Sequence, residues 1–366
     1  MKLKISNKTI IYIIVPANIR PGGPKDLHQL ANILQKKHKN KIYIYYYTIP
    51  GFKVEKNPVH SEYRKLKIPF TKKIYDEKKN ILIFPELNHT IEISKKYKKI
   101  QKVLWWMSLD NFLISRFSEK NHRIIKSFIK LPFKIISIIN NLTFYFFGNL
   151  NFFKYLKFIY LYNPFINILK IENIRLNLSQ AEYVKINLLK KNIKSEHFSG
   201  FLKKVFINEG RKLSIKNKKN IVCYNPRKSS KFMEAIIKYN PDIKFVALKN
   251  YSIKNVVKIL KSSKLYMDFG YHPGQDHMPR EAVILKNCII TNKEGSALFY
   301  KDVPIEQSFK YRECYTNLNR IRKKIKLIFE NYPREIKKFK KFEKLISKQE
   351  TVFRKQVHKI FKRKRS

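Results

Sequence analysis

The chain has 366 residues, of which 79 are Lys or Arg and 26 are Asp or Glu, giving a formal charge of +53. With 44% hydrophobic and 14% aromatic residues it can bury the cores of two domains, so global disorder is excluded despite the charge. Nine glycines and 15 prolines exclude collagen-like and Gly/Ser low-complexity chains. Three cysteines (Cys223, Cys288, Cys314) without a CxxC pair exclude a disulfide scaffold and a thiolate zinc site, and fit a reducing compartment.

In the N-terminal half, Lys2, Lys4 and Lys8 precede an apolar run, Thr9–Val15, with Pro16 directly after it. The run is short for a secretory core and reads as a first buried β-strand. A loop with Gly22-Gly23 follows, then a helix starting near Asp26 with Leu27, Leu30, Ala31 and Leu34 at helical spacing. Strands are predicted at 42–47, 81–84 and 103–107, the last two ending in polar turns at Pro85-Glu86 and Ser108–Asn111.

The middle of the chain is unusual. No acidic residue lies between Glu119 and Glu172, and Ile135–Phe153 carries no charge. That length approaches a membrane span, but Asn140, Asn141, Gly148, Asn149 and Asn151 suit one poorly. Aromatics interleaved with lysines over about 123–170 predict a segment at a membrane interface, with a buried core and a true span as the alternatives.

From Ile221 the pattern alternates: strands at 221–224, 243–248, 265–269 and 288–291, and helices at 231–239, from a Ser252 cap to about 262, and at 279–286. This order predicts a parallel sheet covered on both faces, with ligands at the loops that follow the strands. From Ile321 the chain reads as long, helical and lysine-rich, and no acid follows Glu350.

Three of those loops carry chemistry. Tyr224–Lys231 offers Arg227, Lys228 and Lys231 at a helix start, which favours phosphate; a solvated basic loop is the plain alternative. Gly270–Glu281 offers His272, Gly274, Asp276 and Glu281, the last either a ligand contact or a partner of the helix dipole. His272, Asp276 and His277 lack an established metal-ligand spacing. Asn292–Ala297 adds Gly295 and Ser296 at another helix start.

The loop Arg227–Lys231, the stretch Pro279–Thr291 with its Glu281-Ala282, and Gly295-Ser296-Ala297 resemble the donor half of GT-B glycosyltransferases, most strongly between Ile221 and Ala297. The resemblance implies an α/β fold: two Rossmann-like domains facing each other across a cleft, with a long C-terminal helical segment. It implies that Arg227 with Lys228 or Lys231 holds the donor diphosphate, and that Glu281 binds the nucleotide ribose. His272, Gly274, Asp276, Gly295 and Ser296 fall in the same donor-binding region. Gly22-Gly23 resembles the family's glycine loop. Retaining members often carry a second Glu eight positions earlier, and position 273 here is Pro. Asp276 or the backbone at Gly274-Gln275 could substitute, and retaining and inverting courses both stand open. An inverting reaction needs a base from the N-terminal domain; the candidates are Asp110, Glu86, His28 and Asp26, with Asp110 first and helix capping as its other role.

The resulting expectation is an acceptor domain over 1–205, a nucleotide-sugar domain over 206–345 and a basic tail over 346–366. No DxD triplet occurs, so no metal or other cofactor is expected. The partners would be a nucleotide sugar, a cell-surface glycan or lipid-linked acceptor, and the anionic inner face of the membrane, approached peripherally from the cytoplasm. The charge also admits a nonenzymatic nucleic-acid-binding protein. Against it, no specific nucleic-acid motif occurs and the basic residues are spread along the whole chain.

Overall fold

A computed structural model of the chain describes residues 3–20, 22–37, 41–49, 55–115, 173–270 and 272–362. The segment 123–170, with its uncharged stretch, lies outside these residues, as do Pro21, Tyr271 and the last four residues of the tail.

Among the described residues the chain forms two compact units. One is built from the chain up to Ser115, from 173–201 and from 349–362; the other is Leu202–Lys348.

The first unit is a seven-stranded, wholly parallel sheet in the order β3-β2-β1-β4-β5-β6-β7. Its strands are β1 (Ile10–Pro16), β2 (Lys41–Tyr47), β3 (Phe70–Thr71), β4 (Ile81–Pro85), β5 (Gln101–Trp106), β6 (Ile174–Ser179) and β7 (Glu196–His197). β1 is central and apolar throughout, as a strand covered on both faces must be. The helix Gly23–Lys37 covers it with Leu27, Leu30, Ala31 and Leu34, all buried. Buried indoles need a partner for their N–H. Trp105 donates to the Phe198 carbonyl at 3.0 Å, and Trp106 to Asn177 Oδ1 at 3.1 Å.

The second unit is a five-stranded parallel sheet in the order β12-β11-β10-β8-β9. Its strands are β8 (Lys219–Tyr224), β9 (Lys244–Ala247), β10 (Ser263–Asp268), β11 (Cys288–Asn292) and β12 (Lys310–Tyr311). The chain leaves β8 for β9 on one side, then returns to place β10 on the other side of β8. The connections from these neighbouring strands therefore diverge, and a crevice at their C-terminal ends follows from the topology.

The long helical region is broken. A helix Leu318–Glu330 is followed by Tyr332–Glu335, with Pro333 in its first turn, and only then by Lys340–Ile360. The last of these spans much of the stretch read as a basic tail. Its Phe353 and Val357, with Phe361 beyond it, are buried at four-residue spacing in the first unit's core, where Phe353 meets Phe198 at 4.6 Å.

Lys218 ties the second unit's helices to its sheet. Its buried ammonium donates to the carbonyls of Leu260 at 2.7 Å, Ser263 at 2.8 Å and Leu285 at 2.6 Å. Burial lowers its pKa to about 7, and the three carbonyls offset that loss of hydration. Lys218→Met removes all three bonds, although the Ser263 carbonyl keeps Asn287 Nδ2 and the Leu260 carbonyl keeps the Ser263 amide, and should lower stability by about 3 kcal/mol. Urea denaturation followed by circular dichroism checks this; an unchanged midpoint contradicts it.

Candidate donor site

The site grows from the crevice between β8 and β10. After β8 the chain turns tightly, with the Ser229 amide donating to the Asn225 carbonyl at 3.1 Å. It is then stitched to the chain leaving β10: the Ser230 amide donates to the Phe269 carbonyl at 3.1 Å, and Ser229 bridges Gly270. Gly270 has φ +143°, and a Cβ there would lie 1.8 Å from the Lys228 carbonyl oxygen. Only glycine fits, so the backbone of Lys228 is fixed by its neighbour.

Lys228 Nζ lies 2.5 Å from Asp276 Oδ2, and His272 Nδ1 lies 3.2 Å from the same oxygen. Asp276 is the N-cap residue of the helix His277–Ile284, yet its side chain makes no capping bond. An N-cap carboxylate usually accepts from the second or third helical N–H, and here the third residue is Pro279, which has none. Arg280, almost fully buried, clamps the loop: its Nε donates to the Asp276 carbonyl at 2.9 Å and an Nη to the Gln275 carbonyl at 3.1 Å.

The third loop closes the group. The Ser296 amide donates to the His272 carbonyl at 2.9 Å, and its hydroxyl to the Gly274 carbonyl at 2.6 Å. Gly295 has φ +51°, and a Cβ there would meet the His272 carbonyl oxygen at 2.0 Å. Asn292, fully buried, donates to the Gly270 carbonyl at 2.5 Å and to Glu313 Oε1 at 2.8 Å.

Lys228, His272, Gly274, Asp276, Gly295 and Ser296 are thus brought together. Arg227 is exposed and turns to Asn250 Oδ1 at 2.6 Å, and Lys231 is exposed at the first position of the helix Lys231–Tyr239. Glu281 is half-buried at the fifth position of its helix, because that helix starts at His277 rather than Pro279. It lies past the first turn, where the dipole acts, so the dipole reading loses its basis.

Sequence reasoning missed Asp268, the buried last residue of β10. Its carbonyl lies 3.1 Å from His272 Nε2, and its Oδ2 has no hydrogen-bond partner among the described residues. Burial raises the Asp268 pKa. For His272, burial acts downward, but Asp268 and Asp276 outweigh it and the pKa rises. For Asp276, burial acts upward, but Lys228 and His272 hold the carboxyl at about 2. Asp268, His272 and Asp276 offer ligand-type atoms within 4.8 Å of one another, a set that could hold a metal ion. The ammonium of Lys228 already serves as the cation there, and the set fits an internally neutralised network better than a divalent site.

In the first unit, Gly22 has φ +68° and Gly23 opens the first helix, where a Cβ would meet Met107 Sδ at 2.8 Å. Asp110 lies in the first turn of the helix Leu109–Ser115 and accepts from the Tyr183 hydroxyl at 3.1 Å; the cap is Ser108, whose Oγ accepts from the Asn111 amide at 3.0 Å. Asp26 accepts from Gln180 Nε2 at 2.7 Å and pairs with Lys25 at 2.9 Å. His28, with its pKa lowered to about 4 by burial, contacts the Tyr46 hydroxyl at 2.8 Å. Glu86 is buried just past the end of β4 and accepts from the Met107 amide at 2.9 Å.

No protein-family model matches the chain, and no curated protein matches its sequence. Solved structures match it over nearly its whole length. HepE from Anabaena, solved in complex with UDP-glucose, matches with a TM-score of 0.54 at 10% identity, over 96% of this chain and 98% of that one. The apo structure of OtsA matches with a TM-score of 0.59 at 10% identity, over 98% and 100%. A structure from E. coli bound with UDP-2-fluoro glucose matches with a TM-score of 0.58 at 9% identity, over 96% and 99%. The chain has the GT-B fold. Its two parallel sheets are the two Rossmann-like halves of a GT-B chain.

Glu86 gives the first GT-B half a pH dependence. Burial raises its pKa from 4.5 to about 7, so its protonated form is favoured by folding. The stabilisation is complete below about pH 4.5 and is lost as pH rises through 7, amounting to roughly 3 kcal/mol. Both tryptophans lie on β5, next to Met107, so indole fluorescence reports this half. Denaturation at about pH 5 and about pH 8 should show the loss in the native protein and not in Glu86→Gln; equal pH dependence in both contradicts it.

Proposed function

We propose that the protein is a glycosyltransferase that uses a nucleotide-sugar donor bound at the C-terminal edge of the second sheet. The observation that carries this reading is Lys228: a half-buried ammonium on a backbone fixed by Gly270, at the crevice between β8 and β10. Beside it, Ser230 opens the helix Lys231–Tyr239, and its buried Oγ has no hydrogen-bond partner among the described residues. A cation and a helix N-terminus together suit a diphosphate. HepE was solved with UDP-glucose and the E. coli structure with UDP-2-fluoro glucose, which supports a UDP-linked sugar as the first donor to try.

In the reaction the bond from the sugar's anomeric carbon to the diphosphate oxygen breaks, and an acceptor hydroxyl oxygen bonds that carbon. The developing charge on the diphosphate is what Lys228 and the helix start would stabilise, without a metal. The acceptor proton leaves to a base, for which Asp110 is the first candidate. Glu281 is proposed to accept from the ribose hydroxyls, with Arg227 at the outer edge of the site.

The proposed acceptor is a cell-surface glycan or a lipid-linked precursor, met at the inner face of an anionic membrane. No described helix is long and apolar enough to cross a membrane. Peripheral contact is supported by the helix Lys340–Ile360, where Lys341, Leu345, Lys348, Val352, Lys355 and Lys359 form an exposed stripe at alternating four- and three-residue spacing. Each such lysine near an anionic surface contributes about 1 kcal/mol.

Calorimetry with UDP tests the donor site. Lys228→Met should weaken binding by a factor of about 10–150, the loss of one charge-assisted hydrogen bond worth about 1.5–3 kcal/mol. Arg227→Ala should weaken it less, because its guanidinium already faces Asn250. Glu281→Gln should weaken UDP but not pyrophosphate. Undiminished UDP affinity in a folded Lys228→Met variant contradicts the assignment.

A further inference from the structure

We propose that Asp276 stands in for the donor diphosphate before a donor binds, holding Lys228 in place, and passes to His272 when diphosphate takes the ammonium, so that donor binding takes up a proton. This rests on the donor site proposed above.

The geometry sets up a competition. One carboxylate oxygen, Asp276 Oδ2, lies 2.5 Å from Lys228 Nζ and 3.2 Å from His272 Nδ1. The other ring nitrogen of His272 lies 3.1 Å from the Asp268 carbonyl oxygen. The group nearest each ring nitrogen is an acceptor, and at Nδ1 the contact is a close approach that is not a formed hydrogen bond. A neutral imidazole has one N–H and can satisfy only one of these acceptors, whereas the imidazolium satisfies both. Asp276 Oδ2 therefore has two claimants, the Lys228 ammonium and the His272 ring, and Lys228 is the nearer.

The charged groups around His272 come from every element that packs on it. Asp268 lies at the end of β10, Asp276 and Arg280 at the start of the following helix and within it, and Lys228 on the loop after β8. Tyr266 lies on β10, with Glu281 acting on it, and His277 meets an Arg280 Nη at 3.2 Å. The loop after β11 reaches His272 through the Ser296 amide, with Lys293 and Glu294 half-buried beside it. Lys228 works against a charge on His272, and both aspartates work for it. When diphosphate draws Lys228 away, the opposing cation weakens, a polyanion arrives, and Asp276 is left to the ring. Each change favours the imidazolium.

The test is calorimetry of UDP binding to the full-length protein, in pairs of buffers with different ionisation enthalpies, between about pH 7.5 and 9, where a phosphate with a second pKa near about 6 is fully ionised. The expected result is uptake of up to about one proton per UDP, with affinity falling by up to about tenfold per pH unit. His272→Asn and Asp276→Asn, shown to be folded by circular dichroism, should bind UDP without that uptake. UDP binding by the native protein with no proton exchange overturns the proposal and leaves the donor site intact; so does uptake that survives in His272→Asn. Failure of the native protein to bind either UDP or pyrophosphate overturns both.

Discussion

Pro279 denies the helix His277–Ile284 one of its two usual capping donors, and the carboxylate of Asp276 faces Lys228 and His272 instead of the helix. Much of the second unit's C-terminal edge follows from that redirection. A capping Asp276 would leave Lys228 without its ion pair and His272 without its second acceptor. Gly270 and Gly295 complete the constraint from the backbone side, since a Cβ at either would collide with the Lys228 or the His272 carbonyl. The three loops are held by these contacts as one group at the C-terminal edge of the second sheet, where the strand order creates a crevice.

The strands that position this group were legible because parallel strands buried on both faces are continuous apolar runs. β10, β11 and the part of β8 from Ile221 read that way, as do β1 and β4 in the first unit. β3, β7 and β12 are two residues long and carry no periodic signal, and β6 alternates Ile174, Leu176 and Leu178 with polar residues beside a stretch dominated by aromatics. The helix at 277 starts before its proline because Pro279 fits the first turn as well as the first position.

The site was legible at the level of loops and less so at the level of contacts. Lys228, His272 and Asp276 stand out by type. Asp268 is hidden inside the apolar run 265–269, and only the turn after β10 brings His272 back over its carbonyl. Arg280 sits in the quoted Pro-Arg-Glu stretch, but its role as a buried clamp on Gln275 and Asp276 depends on where the loop folds. Arg227 and Lys228 are adjacent and chemically alike, yet the turn directs one outward to Asn250 and the other inward to Asp276.

The central claim is that the group around Lys228 receives a diphosphate. A crystal structure of the protein with UDP tests it most directly, through the position of Lys228 Nζ. The account predicts a diphosphate oxygen within hydrogen-bond distance of Lys228 Nζ and a lengthened Lys228–Asp276 separation. UDP bound elsewhere, with the 2.5 Å ion pair intact, would contradict it.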